Sequence, residues 1–101
     1  MFITFREYVE TAESRELKLY ADNDSETYFK HYIPVAKNMS RKLEKGIFDN
    51  EKAVTGFLYV IDFAAKKYCR EFGGIWHKVF TKADREAAAA AMVEDFLNEI
   101  H

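Results

Sequence analysis

A chain of 101 residues is one domain long, and its composition, 49% hydrophobic and 32% charged, is that of a packed globule rather than a disordered segment. Four glycines and one proline argue against an all-β meander, and the longest wholly apolar stretch, Ala87 to Val93, is too short to cross a bilayer. The net charge of −2 selects no class of partner, although it is unevenly spread: three basic and seven acidic side chains over residues 1–27, eleven and five over 28–82, one and five over 83–101.

In chain order, Met1 to Glu7 shows no cationic start followed by an apolar run, so no signal peptide is expected. Thr4-Phe5-Arg6-Glu7 has the spacing of a capping box and predicts a short helical face of Phe5, Tyr8, Val9 and Ala12. Ser14 to Leu17 begins a second short helical turn, which carries Leu17, Leu19 and Tyr20. Asp22-Asn23-Asp24-Ser25 reads as a turn and N-cap cluster, with Glu26 placed at the positive end of the next helix. From Ser25 to Lys45 the residues Phe29, Tyr32, Ile33, Ala36, Met39 and Leu43 keep helical register straight through Pro34. The proline ring predicts a kink near Lys30 to Ile33, or else two helices meeting at Pro34. Gly46 is the expected left-handed stop, Asp49 the cap of the following helix, and Gly73-Gly74 its end. Ile75, Trp76, Val79 and Phe80 form an aromatic connector of about one helical turn. Thr81-Lys82-Ala83-Asp84 resembles a second capping box, and the last helix runs almost to His101. Its alanines, Ala87 to Ala91, permit a close helix–helix approach, with Met92, Val93, Phe96, Leu97 and Ile100 supplying bulk below.

The helix from Asn50 to Phe72 dominates the pattern. Val54, Phe57, Leu58, Ile61, Ala65, Tyr68 and Phe72 form one apolar stripe, while Tyr59 and Phe63 fall on roughly the opposite side. A helix apolar on two faces is a central post or part of a subunit interface. The expected fold is an all-α single-domain bundle, residues 1–101, of four to five helices around this post. If the N-terminal segment covers the second face the protein is a monomer, which its apolar spacing and acidic charge favour; otherwise a two-fold dimer forms there.

Candidate chemistry is sparse. His31, His77 and His101 are far apart and lack a second ligand at metal spacing, so no metal or other cofactor is expected. The single Cys69 excludes an internal disulfide framework, borders the apolar stripe, and reads as a buried thiol in a reducing, cytoplasmic setting. Gly73-Gly74 follows a helix rather than a strand, the wrong context for a phosphate loop. Asp22, Asp24 and Glu26 lack the length and glycine of a calcium loop. Asp62 interrupts an apolar run, with Lys66 at i+4 as its expected ion-pair partner. No catalytic constellation emerges, so the chain is read as a non-enzyme.

A basic surface is the better candidate. Lys30, Lys37, Arg41 and Lys45 share one side of their helix and Lys42 flanks them, while Lys66, Lys67 and Arg70 form a second cluster on the central helix. Such groups neutralise phosphates, meet an acidic protein, or are simply solvated. The partner-binding candidates are therefore Lys30, Lys37, Arg41, Lys42, Lys45, Lys66 and Arg70. The exposed side of Trp76, Phe80, Tyr59 and Phe63 is the alternative protein-binding patch.

Tyr20-Ala21-Asp22-Asn23-Asp24, Tyr28, Pro34, Lys37 to Lys42 and Gly46-Ile47-Phe48-Asp49 carry a further signal, continued by Phe57-Leu58-Tyr59, Asp62 to Tyr68 and Glu71-Phe72, and weakly by Phe80 and Arg85. In order and spacing these segments, from near Tyr20 onward, resemble a family of short tailed-phage and prophage accessory proteins. That family has no assigned activity, so the resemblance implies an accessory gene product and transfers no catalytic residue. It also singles out Tyr20, Asn23, Tyr28, Pro34, Phe48, Asp49, Tyr59 and Asp62, which helix propensity does not require; facing one another, they would form a polar–aromatic network. The expected function is a protein-interaction module acting on a host or phage protein, such as a host defence protein, with no membrane partner. The alternative is a nucleic-acid-associated protein using the basic face.

Overall fold

The computed structural model describes residues 8–99. Five α-helices and one π-helical turn follow in order: α1 (Ala12–Asn23), the π-turn (Thr27–Tyr32), α2 (Ile33–Glu44), α3 (Asn50–Phe72), α4 (Trp76–Val79) and α5 (Lys82–Glu99). The expected all-α bundle around a central helix is the observed fold. α3 packs most extensively against α5, and α1 lies against both. The core is continuous: Leu17 and Ala21 from α1, Met39 from α2, Phe57, Val60, Ile61, Ala64 and Ala65 from α3, and Ala88, Ala89, Val93 and Phe96 from α5. Alanines from α3 and α5 meet at the seam, where small side chains let two helices approach closely.

Capping chemistry sets the boundaries. The Asp49 carboxylate accepts the Lys52 N–H at 3.1 Å and starts α3. Thr81 and Asp84 exchange reciprocal hydrogen bonds, so the capping box expected there starts α5. Gly46, at φ +72°, ends α2: its N–H reaches the Leu43 carbonyl and the Ile47 N–H reaches that of Lys42, the paired bonds of a Schellman stop. Gly74 makes the α3–α4 corner at φ +100°, where a Cβ would meet Val79 Cγ2 at 2.6 Å, so only glycine fits.

The N-terminal expectations change. The Thr4–Glu7 capping box and Phe5 lie outside the described residues. Tyr8 to Glu10 are not helical, and Val9 is 73% exposed. The helix begins before Ser14: Thr11 is its N-cap, and Thr11 and Ser14 form the capping box of α1, a single twelve-residue helix. The sequence pattern missed this because serine replaces the usual Glu or Gln at the third position. The Thr11 hydroxyl also donates to Asp84 Oδ1 at 2.8 Å, tying the start of α1 to the start of α5. Farther along, Lys18 bridges Asp22 at 2.6 Å and Asp95 of α5 at 2.5 Å. Burial opposes the charge on Lys18, but these hydrogen bonds outweigh it and raise its pKa.

Around Pro34 two helical elements meet, as one of the two expectations had it: the π-turn ends at Tyr32 and α2 starts at Ile33 with Pro34 in its first turn. The chain stays helical, but the turn before the proline widens to π geometry, with the Ile33 N–H reaching the Tyr28 carbonyl five residues back. The wider turn sits where the proline, lacking an N–H, cannot continue the usual ladder onto Lys30. It turns Thr27 into the core and places His31 against α3.

Three apolar assignments reverse, the first being Phe29, expected on the apolar face of its helix but 65% exposed in the π-turn. Phe72, expected in the core stripe, is the last residue of α3 and is 65% exposed, with its ring against Tyr68 of the same helix. Phe80 was expected on the exposed aromatic side but is only 1% exposed, seated against Tyr68.

Candidate interaction face

The solvent side of α3 is where exposed aromatic and cationic groups coincide. Lys52, Thr55, Tyr59, Lys66 and Arg70 are all exposed and lie within about 60° of one another at 100° per residue. Tyr59, 61% exposed, stands near the middle of the strip. Beside it Phe63 is half-buried, covered by the His31 ring at 4.0 Å between centroids; His31 also lies 5.5 Å from Tyr59. The second apolar face of α3 is thus covered at Phe63 by the π-turn, while Tyr59 stays exposed; the cover expected from Phe5 lies outside the described residues.

The far end of the strip is built around Trp76. Lys66 Nζ lies 4.9 Å from the indole centroid and the Arg85 guanidinium 4.6 Å from it. Arg85 also donates from Nε to the Phe80 carbonyl at 3.0 Å and from Nη1 to Asp62 at 2.8 Å. This corrects the expected Asp62–Lys66 pair. Arg85 of α5, 23 residues downstream, supplies a planar donor that reaches the carboxylate and a backbone carbonyl at once, while Lys66 turns to the indole instead. Asp62 is therefore neutralised internally, and no carboxylate among the described residues pairs with Lys52, Lys66 or Arg70.

The remaining predicted cations divide. Lys30 sits in the π-turn and pairs with Glu26 at 3.3 Å. Lys37, Arg41 and Lys45 are exposed along α2, and Lys42 is half-buried. Lys37 and Arg41 border a shallow depression of about 440 Å³ together with Glu44 and Glu99, so acid is interleaved there. Lys45 is joined to the start of α3 by a short loop, whereas Lys66 and Arg70 lie about 24–30 Å along it. The two basic clusters do not merge into one patch.

Lys67 leaves the basic cluster altogether. It bridges Asp24 at 2.9 Å and Glu26 at 2.8 Å, locking the α1–π-turn junction to α3. The hydrogen bonds it donates to Glu26 and Asp24 hold its pKa well above the usual lysine value. Burial works against the Asp24 carboxylate, but its bonds to Lys67 and Thr27 prevail and lower its pKa; Glu26 is lowered by Lys67 and Lys30. The acidic cluster is thus a structural clamp. Its stabilisation is complete from just above the ordinary carboxylate pKa, about 4, up to the ordinary lysine value, about 10.4. It is lost as pH falls through the depressed carboxylate values, and again as pH rises through the raised lysine value. In a Lys67→Met variant, the urea midpoint should therefore fall less between pH 7 and pH 3 than in the wild type; an equal fall would show that the clamp contributes nothing.

Cys69 is buried, and burial pushes its thiol pKa up, away from nucleophilic use. Among the described residues no group of three His, Cys, Asp or Glu side chains is placed to hold a metal ion, and no helix is long and apolar enough to cross a membrane. A groove of about 540 Å³ between α1 and α5 has an alanine floor, and its two cations, Arg15 and Lys18, are both paired with carboxylates. The eight residues singled out by the phage-type resemblance do not form one network. Tyr20 packs edge-on against Tyr68, Tyr28 stacks on Tyr32, Asn23 bonds the Leu19 carbonyl of its own helix, Asp49 caps α3, and Tyr59 faces outward.

No family model, curated protein or solved structure matches this chain.

Proposed function

We propose that this protein is a small non-enzymatic interaction module of the phage accessory type, which binds a host or phage protein through the outward face of α3. The observation that carries this reading is Tyr59, a large exposed ring at the centre of a rigid 23-residue helix, flanked by free cations and by immobilised Phe63 and Trp76. Interfaces concentrate their energy in aromatic and arginine side chains held in place before binding. A module that covers such a surface on a host defence protein would inhibit it by occlusion.

Tagged protein should retain a specific partner from host lysate, and Tyr59→Ala should weaken that retention by about 30-fold, as for a central hot spot of about 2 kcal/mol. Unchanged retention by the variant would overturn the assignment of this face.

The nucleic-acid reading rests on the same coincidence of ring and cation, since single strands are held by stacking and phosphate contacts. Against it stand the net charge of −2 and the separation of the two basic clusters. We also read the protein as a monomer, because the π-turn covers Phe63. Light scattering at micromolar concentration should give the monomer mass; a dimer that Phe63→Glu dissociates would reverse this.

A further inference from the structure

Lys52, Tyr59 and Lys66 follow one another at intervals of seven residues, so their Cα atoms are spaced about 10.5 Å apart along the outer face of α3. An α-helix drifts only about 20° per seven residues, and all three side chains therefore point to one side. That is the spacing along which a second helix packs at a shallow angle, each heptad meeting the next. From this register we propose that the face receives an acidic helix, with one apolar side chain seated on Tyr59 and a carboxylate one heptad to either side, on Lys52 and Lys66. The proposal names the partner chemistry of the interaction face described above and rests on that reading.

Charge decides in favour of an acidic helix. The three cations of the strip, Lys52, Lys66 and Arg70, have no carboxylate partner among the described residues. Asp62, three residues from Tyr59 and four from Lys66, is held by Arg85. Asp24 and Glu26, the carboxylates bonded to a lysine of α3, belong to the Lys67 clamp on another side of the helix. The strip is therefore a line of positive charge interrupted by one ring, and its complement is a line of negative charge interrupted by one apolar group. The ends of the line are unequal. At the Lys66 end, the indole of Trp76 holds the lysine ammonium, and Arg70 adds a second positive group one turn farther on; at the Lys52 end no second cation is added. The carboxylate facing Lys66 thus contributes more than the one facing Lys52, which orients the bound helix. A single-stranded nucleic acid would instead need successive rings and closely spaced cations, and this face offers one exposed ring with its flanking lysines about 21 Å apart.

The probe is a synthetic helical peptide of roughly 21 residues, with leucine at the centre of one face and glutamate one heptad to either side. It is titrated into the full chain by fluorescence anisotropy, alongside the same peptide with lysine in place of both glutamates and a single-stranded oligothymidine. The glutamate peptide should bind at least about tenfold tighter than its lysine form, and more weakly as salt is raised. Tyr59→Ala should reduce that binding by about tenfold or more. The double variant Lys52→Glu/Lys66→Glu should lose the glutamate peptide and gain the lysine peptide, an exchange that a misfolded chain cannot produce. Equal binding of the two peptides, or tighter binding of the oligonucleotide than of the glutamate peptide, overturns the proposal. If the peptides fail while Tyr59→Ala still abolishes partner retention from lysate, the acidic helix is wrong and the interaction face stands. If Tyr59→Ala changes neither, both fall.

Discussion

Phe57→Ala should destabilise the protein by about 3–5 kcal/mol, the range for truncating a fully buried phenylalanine. Phe57 is 0% exposed and sits where three elements meet, with ring centroids 5.4 Å from Tyr32 of the π-turn and 5.7 Å from Phe96 of α5. Alanine there removes the side chain that joins them and leaves a cavity that Tyr32 and Phe96 would have to collapse to fill. Both are held by neighbours of their own: Tyr32 stacks on Tyr28, and Phe96 belongs to the α5 seam. Relaxation is therefore limited and the cavity contribution persists. Small domains have about 5–15 kcal/mol in total, so the melting temperature should drop by roughly 15–30 °C. Thermal unfolding followed by circular dichroism checks this; a drop of only a few degrees would mean that the centre of the bundle repacks freely.

Arg85→Ala should cost about 2–4 kcal/mol, the next largest effect, by a different mechanism. Removing the guanidinium orphans the Phe80 carbonyl, leaves Asp62 without its partner, and takes one of two cations from Trp76. Hydrophobic burial is not the issue here; unsatisfied polar groups are. Asp62 retains some solvent access, which places the cost below that of a sealed ion pair. Arg85→Lys should recover little, since one ammonium cannot reach both the Phe80 carbonyl and Asp62 while lying over the indole. A double-mutant cycle with Asp62→Asn isolates the pair and should give a coupling of about 1–3 kcal/mol. Additive effects of the two substitutions would show that Arg85 acts through Phe80 and Trp76 alone. Because Trp76 fixes Lys66, Arg85→Ala should also weaken binding at the α3 face while leaving Tyr59 in place.

The phage-type resemblance drew attention to Tyr59 and Asp62 together, yet the two side chains serve different ends. Tyr59 faces solvent, and Asp62, one turn farther on, is turned to Arg85. Lys52 lay outside every cluster considered from sequence, although its heptad relation to Tyr59 and Lys66 was legible there. It was masked by the stronger apolar stripe on the opposite side of the same helix. His31 was weighed only as a metal ligand; its contact with Phe63 exists because the π-turn rotates it inward, and no local propensity announces a π-turn.

By itself the sequence determined the helical class, the limits of α3 at Asp49 and Gly73, the Schellman stop at Gly46 and the capping box at Thr81. Each of these is a matter of hydrogen bonds and backbone angles within four or five residues, so the chain encodes them locally. Only the tertiary structure decided that Asp62 pairs with Arg85 rather than Lys66, that Lys67 is spent on Asp24 and Glu26, and that Phe80 is buried while Phe72 is not. A charged side chain near the surface has several partners within reach. Which one it takes depends on how helices far apart in sequence cross, and the free cations that remain on α3 are those the crossings leave over.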